Sequence, residues 1–405
     1  MNAVPGVTLE DVRRAHDVLS TVVTRTPLEA SRWLAETAGG PVWLKAENLQ
    51  RTGSFKIRGA YLRMARLSAE ERAAGVVAAS AGNHAQGVAL AAQLLGIRAR
   101  VYMPEGAPIP KEKATRGYGA EVVFAGRYVD DALVAAQEHA ERTGAVLIHP
   151  FDHPDIVAGQ GTCGLEVLEQ LPEAASILVP TGGGGLLAGI AVAVKAQRPD
   201  VRVVGVQAET AAAFPGSLSA GAPTAVAEMA TMADGIAVGC PGQVPFAVVR
   251  TQVDEVLTVS EEGISRALVG LMERAKLVVE PAGAVAVAAL LEHPGAFPTP
   301  AVAVLSGGNI DPLLTGRMIR HGMAAAGRYL FLRVTVVDSP GGLAQLLGEL
   351  ADAGANVLDV AHERISPTLH VDEVQVRIQV ETRGPTHAEA LLARLREQGR
   401  RVVVG

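Results

Sequence analysis

Thr52-Gly53-Ser54-Phe55-Lys56-Ile57-Arg58-Gly59 is a polar stretch with one lysine at its centre. The chain is poor in lysine: only Lys45, Lys56, Lys111, Lys113, Lys195 and Lys276 occur, and arginine supplies most of the positive charge. Phe55 and Ile57 flank Lys56 and place its amine among apolar groups. Desolvation there disfavours the ammonium form and leaves a nucleophilic free amine, as a Schiff-base lysine requires. Read alone, the octet is equally an ordinary lysine at a helix start capped by Ser54.

Outward from the octet, strand and helix patterns alternate. Before it, residues 8–37 read as helix, turn and helix, with Thr8 as N-cap, and Val42–Lys45 as a short strand. After it come a helix over 59–67, strands at 76–79, 98–103, 121–124 and 145–148, and helices at 83–95, 111–117 and 128–142. The pattern resumes with strands at 177–180, 201–206, 256–259 and 301–305, and helices at 157–171, 186–197, 264–274 and 284–291. Residues 209–250 are the least periodic segment and read as a long irregular connection near a site. Repeated β-α units with near-continuous apolar strands imply parallel sheets covered on both faces, and right-handed crossovers then give the doubly wound class.

Beyond Ala324-Ala325-Ala326-Gly327 the strands alternate instead. Val374, Val376, Ile378 and Val380 interleave with Gln375, Arg377 and Gln379, the pattern of a strand with one wet face. The order is strand from Tyr329, helix 342–353, strands 356–364 and 371–382, helix 386–398 and strand 401–404. That βαββαβ order is the ferredoxin-like motif, a separate domain.

Composition narrows the function classes. A length of 405 residues allows roughly two to three domains. Apolar residues make up 49% and aromatics only 3%, which suits closely packed α/β layers. A net charge of -6 with both signs scattered excludes a nucleic-acid groove or an anionic membrane surface as partner. Cys163 and Cys240 form neither a disulfide framework nor a zinc site, Met1–Glu10 lacks a signal-peptide pattern, and no apolar run spans a bilayer. The expected setting is cytoplasmic.

Three glycine-bearing loops end strands. Thr181-Gly182-Gly183-Gly184-Gly185-Leu186 lets backbone N–H groups converge at a helix N-terminus, where phosphate is the natural guest. It lacks the Gly-Lys-Ser/Thr of a nucleotide loop and the Gly-x-Gly-x-x-Gly spacing; the alternative is a turn with close helix packing. Ser80-Ala81-Gly82-Asn83-His84 would cradle a carboxylate, with Asn83 donating to a phenolate-like oxygen. Ser306-Gly307-Gly308-Asn309 is the third. Ligands of open α/β sheets bind at strand carboxyl ends, so a phosphate, a carboxylate and an imine-forming carbonyl are implied. Pyridoxal phosphate with an amino acid fits all three.

On four ordered motifs the chain resembles the fold-type II pyridoxal-phosphate enzymes, in the threonine ammonia-lyase group to which serine racemase is a close relative. These are Gly53-Ser54-Phe55-Lys56-Ile57-Arg58-Gly59-Ala60, Ser80-Ala81-Gly82-Asn83-His84-Ala85-Gln86-Gly87, Gly182–Leu186 and Ser306-Gly307-Gly308-Asn309. The resemblance covers residues 1–325 and implies a large catalytic domain of 1–66 and 153–326 and a small one of 67–152. By resemblance, Lys56 would hold pyridoxal 5'-phosphate and Phe55 would lie beside its ring. Asn83 would bond the ring hydroxyl, Gly182, Gly183, Gly184, Gly185 and Leu186 would bind the phosphate, and Ser306 would face the pyridine nitrogen. Ser54, Ser80, Ala81, Asn83 and His84 would hold the substrate. The implied reaction is β-elimination of L-threonine to 2-oxobutanoate and ammonia, and of L-serine to pyruvate, with Lys56 removing the Cα proton.

Two departures discriminate within the family. Ala81 stands where the racemase has its second acid/base serine, which disfavours racemisation. Glu209 and the Ala213 carbonyl match two ligands of a divalent-cation site, but Pro215 falls where the second carboxylate belongs, so a metal stays undetermined. Glu280 either faces the ring or is a helix-entry carboxylate beside Pro281. His84, His149 and His153 have no metal-ligand spacing and read as loop residues. Residues 328–405 resemble an ACT regulatory domain, with Val336–Leu343 placing a turn and helix start where such domains bind amino acids. The resemblance implies a branched-chain amino-acid effector and a homodimer or homotetramer; a purely structural dimerisation module is the alternative.

Overall fold

In a computed structural model, which describes residues 6–363 and 369–405, the chain divides into two compact units after Pro312. Met1–Pro5 and Arg364, where two of the sequence expectations begin or end, lie outside the described residues.

The first unit holds two sheets. The larger has six strands in the spatial order Leu28–Ala30, Val42–Lys45, Ala301–Val304, Ser176–Pro180, Arg202–Ala208 and Glu255–Val259. The first pair is antiparallel and all others are parallel. The smaller sheet is wholly parallel, in the order Glu121–Phe124, Ala99–Met103, Val76–Ala79 and Val146–Leu147. The apolar runs Val76–Ala79 and Ser176–Pro180 are buried along their whole length, as strands covered on both faces must be.

Register brings distant loops together. Val42 pairs with Ala301 and Ala301 with Ser176, so three parallel strands end side by side. Their carboxyl ends lead to the lysine octet, to Ser306–Asn309 and to Thr181–Gly185. Small residues bring the helices close. A Cβ on Gly59 or Gly159 would come within 3.0 Å of the facing helix, so Lys56–Ala65 and Pro154–Gln170 pack almost backbone to backbone. A Cβ on Gly87 would lie 3.2 Å from the Lys56 carbonyl carbon, which sets Asn83–Leu95 directly against the lysine.

Three local expectations are corrected. The turn after the first helix, Leu9–Leu19, holds a three-residue edge strand, Leu28–Ala30, before the helix Arg32–Ala38. Residues 209–250 are not wholly irregular, since they contain the helices Ala213–Ala220 and Gln243–Gln252. The helix Glu261–Gly270 ends in a π-turn, Leu271–Ala275, and Lys276 sits in the left-handed region at φ 60°.

The second unit is a four-stranded antiparallel sheet in the order Asn356–Glu363, Glu373–Glu381, Tyr329–Val337 and Arg401–Val404. Val374, Val376, Ile378 and Val380 are buried with Leu332, Val334 and Val336 beneath Leu346, Leu350, Leu391 and Leu395. The last four lie on the helices Gly342–Asp352 and Pro385–Glu397, which complete the βαββαβ order. No helix among the described residues is long and apolar enough to cross a membrane.

Candidate active site

Lys56 opens the helix Lys56–Ala65 and is half-buried. The chain reaches it through a short 3-10 turn in which Thr52 and Gly53 both have positive φ, 66° and 72°. That left-handed pair is strained for Thr52. It is held by Asn309, whose Nδ2 donates to the Thr52 carbonyl at 2.6 Å, and by the Gly308 N–H, which donates to the Gly53 carbonyl at 2.9 Å. Ser54 bridges Gly307, and the Phe55 N–H donates to the Ser306 carbonyl at 3.2 Å. The octet and the Ser306–Asn309 loop are therefore one structure.

The Lys56 Nζ donates to the Pro150 carbonyl at 3.0 Å and lies 5.1 Å from the Phe55 ring centroid. Burial pulls its pKa down to about 8, against the raising effect of Glu280. His84, expected in a loop, lies in the first turn of the helix Asn83–Leu95, is buried and places Nε2 2.7 Å from the Ile148 carbonyl. Burial, with Lys56 nearby, lowers its pKa to about 3 and keeps it neutral. It braces the segment that supplies the acceptor for Lys56.

Asn83 lies where three elements meet. Asn309 Nδ2 donates to Asn83 Oδ1 at 2.8 Å, and Asn83 Nδ2 donates to Glu280 Oε1 at 2.5 Å. Glu280 stands at the N-cap position of the helix Pro281–Glu292 without a side-chain cap bond, and its own N–H donates to the Gly307 carbonyl at 3.0 Å. Burial raises its pKa to about 7. At the outer side Lys111 meets Asp234 at 3.1 Å. Ser80 Oγ accepts from the Gly82 N–H at 3.1 Å, shaping the loop that carries Ala81.

The glycine loop leads into the helix Gly185–Lys195, whose N-cap Gly184 offers no side chain to the free N–H groups of the first turn. Added Cβ atoms would lie 2.5 Å from the Phe151 ring at Gly183 and 2.6 Å from Phe214 at Gly184, where φ is also +96°. Leu186 points into the core, 3% exposed. Among the described residues, buried Ser54 Oγ and Thr52 Oγ1 have no hydrogen-bond partner. Ser306 is buried at the end of its strand.

Sequence reasoning missed the support beneath this site. Arg58, fully buried, donates to Glu47 at 2.8 Å and to Glu166 at 2.7 Å, while Lys45 reaches Glu166 at 2.6 Å. An arginine inside an otherwise apolar helix face was the available signal. Glu209 is exposed and Pro215 lies within the helix Ala213–Ala220.

A lysine amine held near neutrality, a bare glycine cradle at a helix N-terminus and orphaned hydroxyls beside them suit a phosphorylated carbonyl cofactor. The model of the pyridoxal-phosphate dependent enzymes matches residues 19–307, and the chain belongs to that family. Its second unit carries an ACT domain, matched over residues 331–400. The chain is 48% identical over 385 residues to the L-threonine ammonia-lyase of Thermotoga maritima, covering 95% of this chain and 96% of that protein. Among solved structures, a threonine deaminase from T.th. is 45% identical with a TM-score of 0.72, covering 75% of this chain and 99% of that one. Maize serine racemase is 35% identical with a TM-score of 0.74, over 78% and 98% of the two chains.

Proposed function

We propose that this enzyme is a threonine ammonia-lyase, converting L-threonine to 2-oxobutanoate and ammonia and L-serine to pyruvate. The observation that carries the reading is the end-to-end likeness, ACT domain included, to the Thermotoga maritima L-threonine ammonia-lyase.

Bound pyridoxal phosphate supplies an electron sink for the bonding pair left at Cα when its proton is removed. The chain supplies the rest. The amine of Lys56, desolvated and near neutral, takes the Cα proton. Gly182, Gly183, Gly184, Gly185 and Leu186 would hold the phosphate with backbone N–H groups, and Asn83 would donate to the ring hydroxyl. Ser306 would offer the pyridine nitrogen a neutral hydroxyl, which does not enforce protonation as a carboxylate would. Ser54, Ser80, Ala81, Asn83 and the backbone at His84 receive the substrate carboxylate. Phe55 would lie beside the ring. Loss of the β-hydroxyl as water leaves an enamine that hydrolyses to the oxo acid and ammonia.

The likeness to serine racemase supports a second reading, racemisation or β-replacement on the same fold. Ala81 argues against it, since a methyl group has no proton to deliver to the far face of Cα. A non-catalytic amino-acid sensor would not need the depressed amine of Lys56.

Residues 1–66 with 153–326 form the large catalytic domain, 67–152 the small one and 328–405 the regulatory domain. The two separate sheets of the first unit support the first division, although that compact unit ends earlier, at Pro312. Isoleucine or valine binds the ACT domain, and the assembly is a cytoplasmic homodimer or homotetramer. Incubating the protein with L-threonine, L-serine and D-serine while following 2-oxo acid tests the lyase reading. No oxo acid from any of them overturns it, and D-serine formed from L-serine restores the racemase. An unchanged threonine saturation curve across an isoleucine and valine titration removes the effector assignment.

A further inference from the structure

A cation stands against the loop of residues 80–84. Val76–Ala79 and Ala99–Met103 are neighbours in the small sheet, and the Ser80 N–H donates to the Tyr102 carbonyl at 3.0 Å. Both strands therefore deliver their following loops to one place. The second loop leads into the helix Ile109–Gly117, and Lys111 lies in its first turn. A Cβ on Gly82 would lie 3.9 Å from the Lys111 Nζ, which sets the ammonium beside the turn that carries Ala81.

That is an unfavourable place for a positive charge. The first turn of a helix carries the positive end of its dipole, and Lys111 stands at two such ends, its own and that of Asn83–Leu95. Gly82, the N-cap of the second helix, offers no side chain to the N–H groups there. The Lys111 side chain is only 12% exposed. Among the described residues it pairs with one acid, Asp234 at 3.1 Å, whose own side chain is 60% exposed. Glu112, its neighbour in sequence, is turned to Arg116 at 2.8 Å. A largely desolvated ammonium with a solvated counter-ion keeps its attraction for a further anion.

The surroundings hold this cation in place. Asp234 precedes Gly235, where a Cβ would lie 3.9 Å from Glu280 Oε1, and Glu280 accepts from Asn83 Nδ2 at 2.5 Å. Asp234, Glu280, Asn83, Gly82 and Lys111 thus close a ring of contacts that includes the loop. A Cβ on Gly307 would lie 3.0 Å from Asn83 Nδ2, and Gly307 is bridged to Ser54. Ser54 brings to this cluster a fully buried hydroxyl that has no hydrogen-bond partner among the described residues.

We infer that Lys111 is a specificity-determining residue: its ammonium reads the carboxylate of the amino-acid substrate at the loop of residues 80–84, and Asp234 occupies it until the substrate arrives. This rests on the substrate carboxylate lying at that loop, as proposed above. On binding, the carboxylate takes the place of the Asp234 carboxylate, which returns to water. An amino acid is thereby selected over its amide, which brings no negative charge.

The test uses the holoenzyme with L-2-aminobutanoate, which has no β-hydroxyl to lose, and with the primary amide of the same compound, binding being measured by calorimetry. The wild type is expected to bind the acid more tightly than the amide. Lys111→Met is expected to weaken the acid by about 10-fold or more and to leave the amide within about 2-fold, as loss of one charge-assisted hydrogen bond implies. Lys111→Arg keeps the charge and is expected to restore most of the preference. Asp234→Asn removes the competitor and is expected to tighten the acid by roughly 2- to 5-fold with the amide unchanged. A strut that merely braced the loop would weaken both ligands alike, so an unchanged acid-to-amide ratio in Lys111→Met would overturn the inference. Should Lys111→Met fail to fold, Asp234→Asn reads the same claim: tighter binding of the acid supports it, and equal or weaker binding overturns it. Absence of oxo acid from every substrate would sink the lyase reading alone, since the calorimetry needs no elimination.

Discussion

The Lys56 amine and the Pro150 carbonyl are joined at 3.0 Å, although 94 residues separate them. The contact ties the lysine to the segment that follows the last strand of the small sheet and that His84 grips at Ile148. It fixes where the amine rests, while burial fixes its basicity at about 8. A base is active as the free amine, so kcat/KM for threonine is expected to rise with pH through about 8 and level off above it. A profile flat from pH 6 to 9 would contradict the assignment of Lys56 as the base.

The glycine cradle has no room for side chains. Gly184→Ala places a Cβ 2.6 Å from Phe214 in a left-handed residue, which costs about 1–2 kcal/mol from the backbone alone. The cradle is expected to distort and cofactor affinity to fall at least 10-fold, on the order of the 1.4 kcal/mol that this factor represents. Cofactor titration of the apoprotein by fluorescence measures it, and an unchanged Kd would remove the cradle from the binding site.

Arg58 lies two residues after Lys56, between Glu47 and Glu166. Arg58→Leu leaves two buried carboxylates with Lys45 as the remaining cation of the cluster. Breaking such a network costs about 3–5 kcal/mol. A thermal midpoint lower by several degrees is expected, and a midpoint within a degree of wild type would show that the network contributes little.

Ala81 bears on reaction choice. Ala81→Ser supplies a hydroxyl in the loop between Val76–Ala79 and Asn83–Leu95. Chiral chromatography of L-serine reactions is expected to show D-serine rising roughly 10-fold or more relative to pyruvate, in line with the effect of a placed acid/base group. No increase would mean that the hydroxyl does not reach Cα.

Much of this site is legible in the amino-acid sequence because its parts are local. Each glycine loop follows an apolar strand within a few residues, and strand carboxyl ends are where such sheets bind ligands. Alternation from Val374 to Val380 marks the wet-faced sheet directly, as its burial shows. The misses share a physical cause. Leu28–Ala30 is too short for a period to register, and Pro27 reads as a break. Pro215 and Gly216 mask the helix Ala213–Ala220, and Pro245 weakens Gln243–Gln252. Partners separated by 108 residues, as Arg58 and Glu166 are, or by 197, as Asn83 and Glu280 are, leave no local pattern. The contact of His84 with the Ile148 carbonyl, 64 residues on, is of the same kind.

The proposed role of Lys56 in threonine elimination is decided by a comparison of two proteins. Purified wild-type protein and Lys56→Ala are each incubated with L-threonine and pyridoxal phosphate while 2-oxobutanoate and ammonia are quantified. Equimolar oxo acid and ammonia are expected from the wild type, with turnover and the visible cofactor absorbance lost together in Lys56→Ala. Turnover surviving in Lys56→Ala would contradict the assignment.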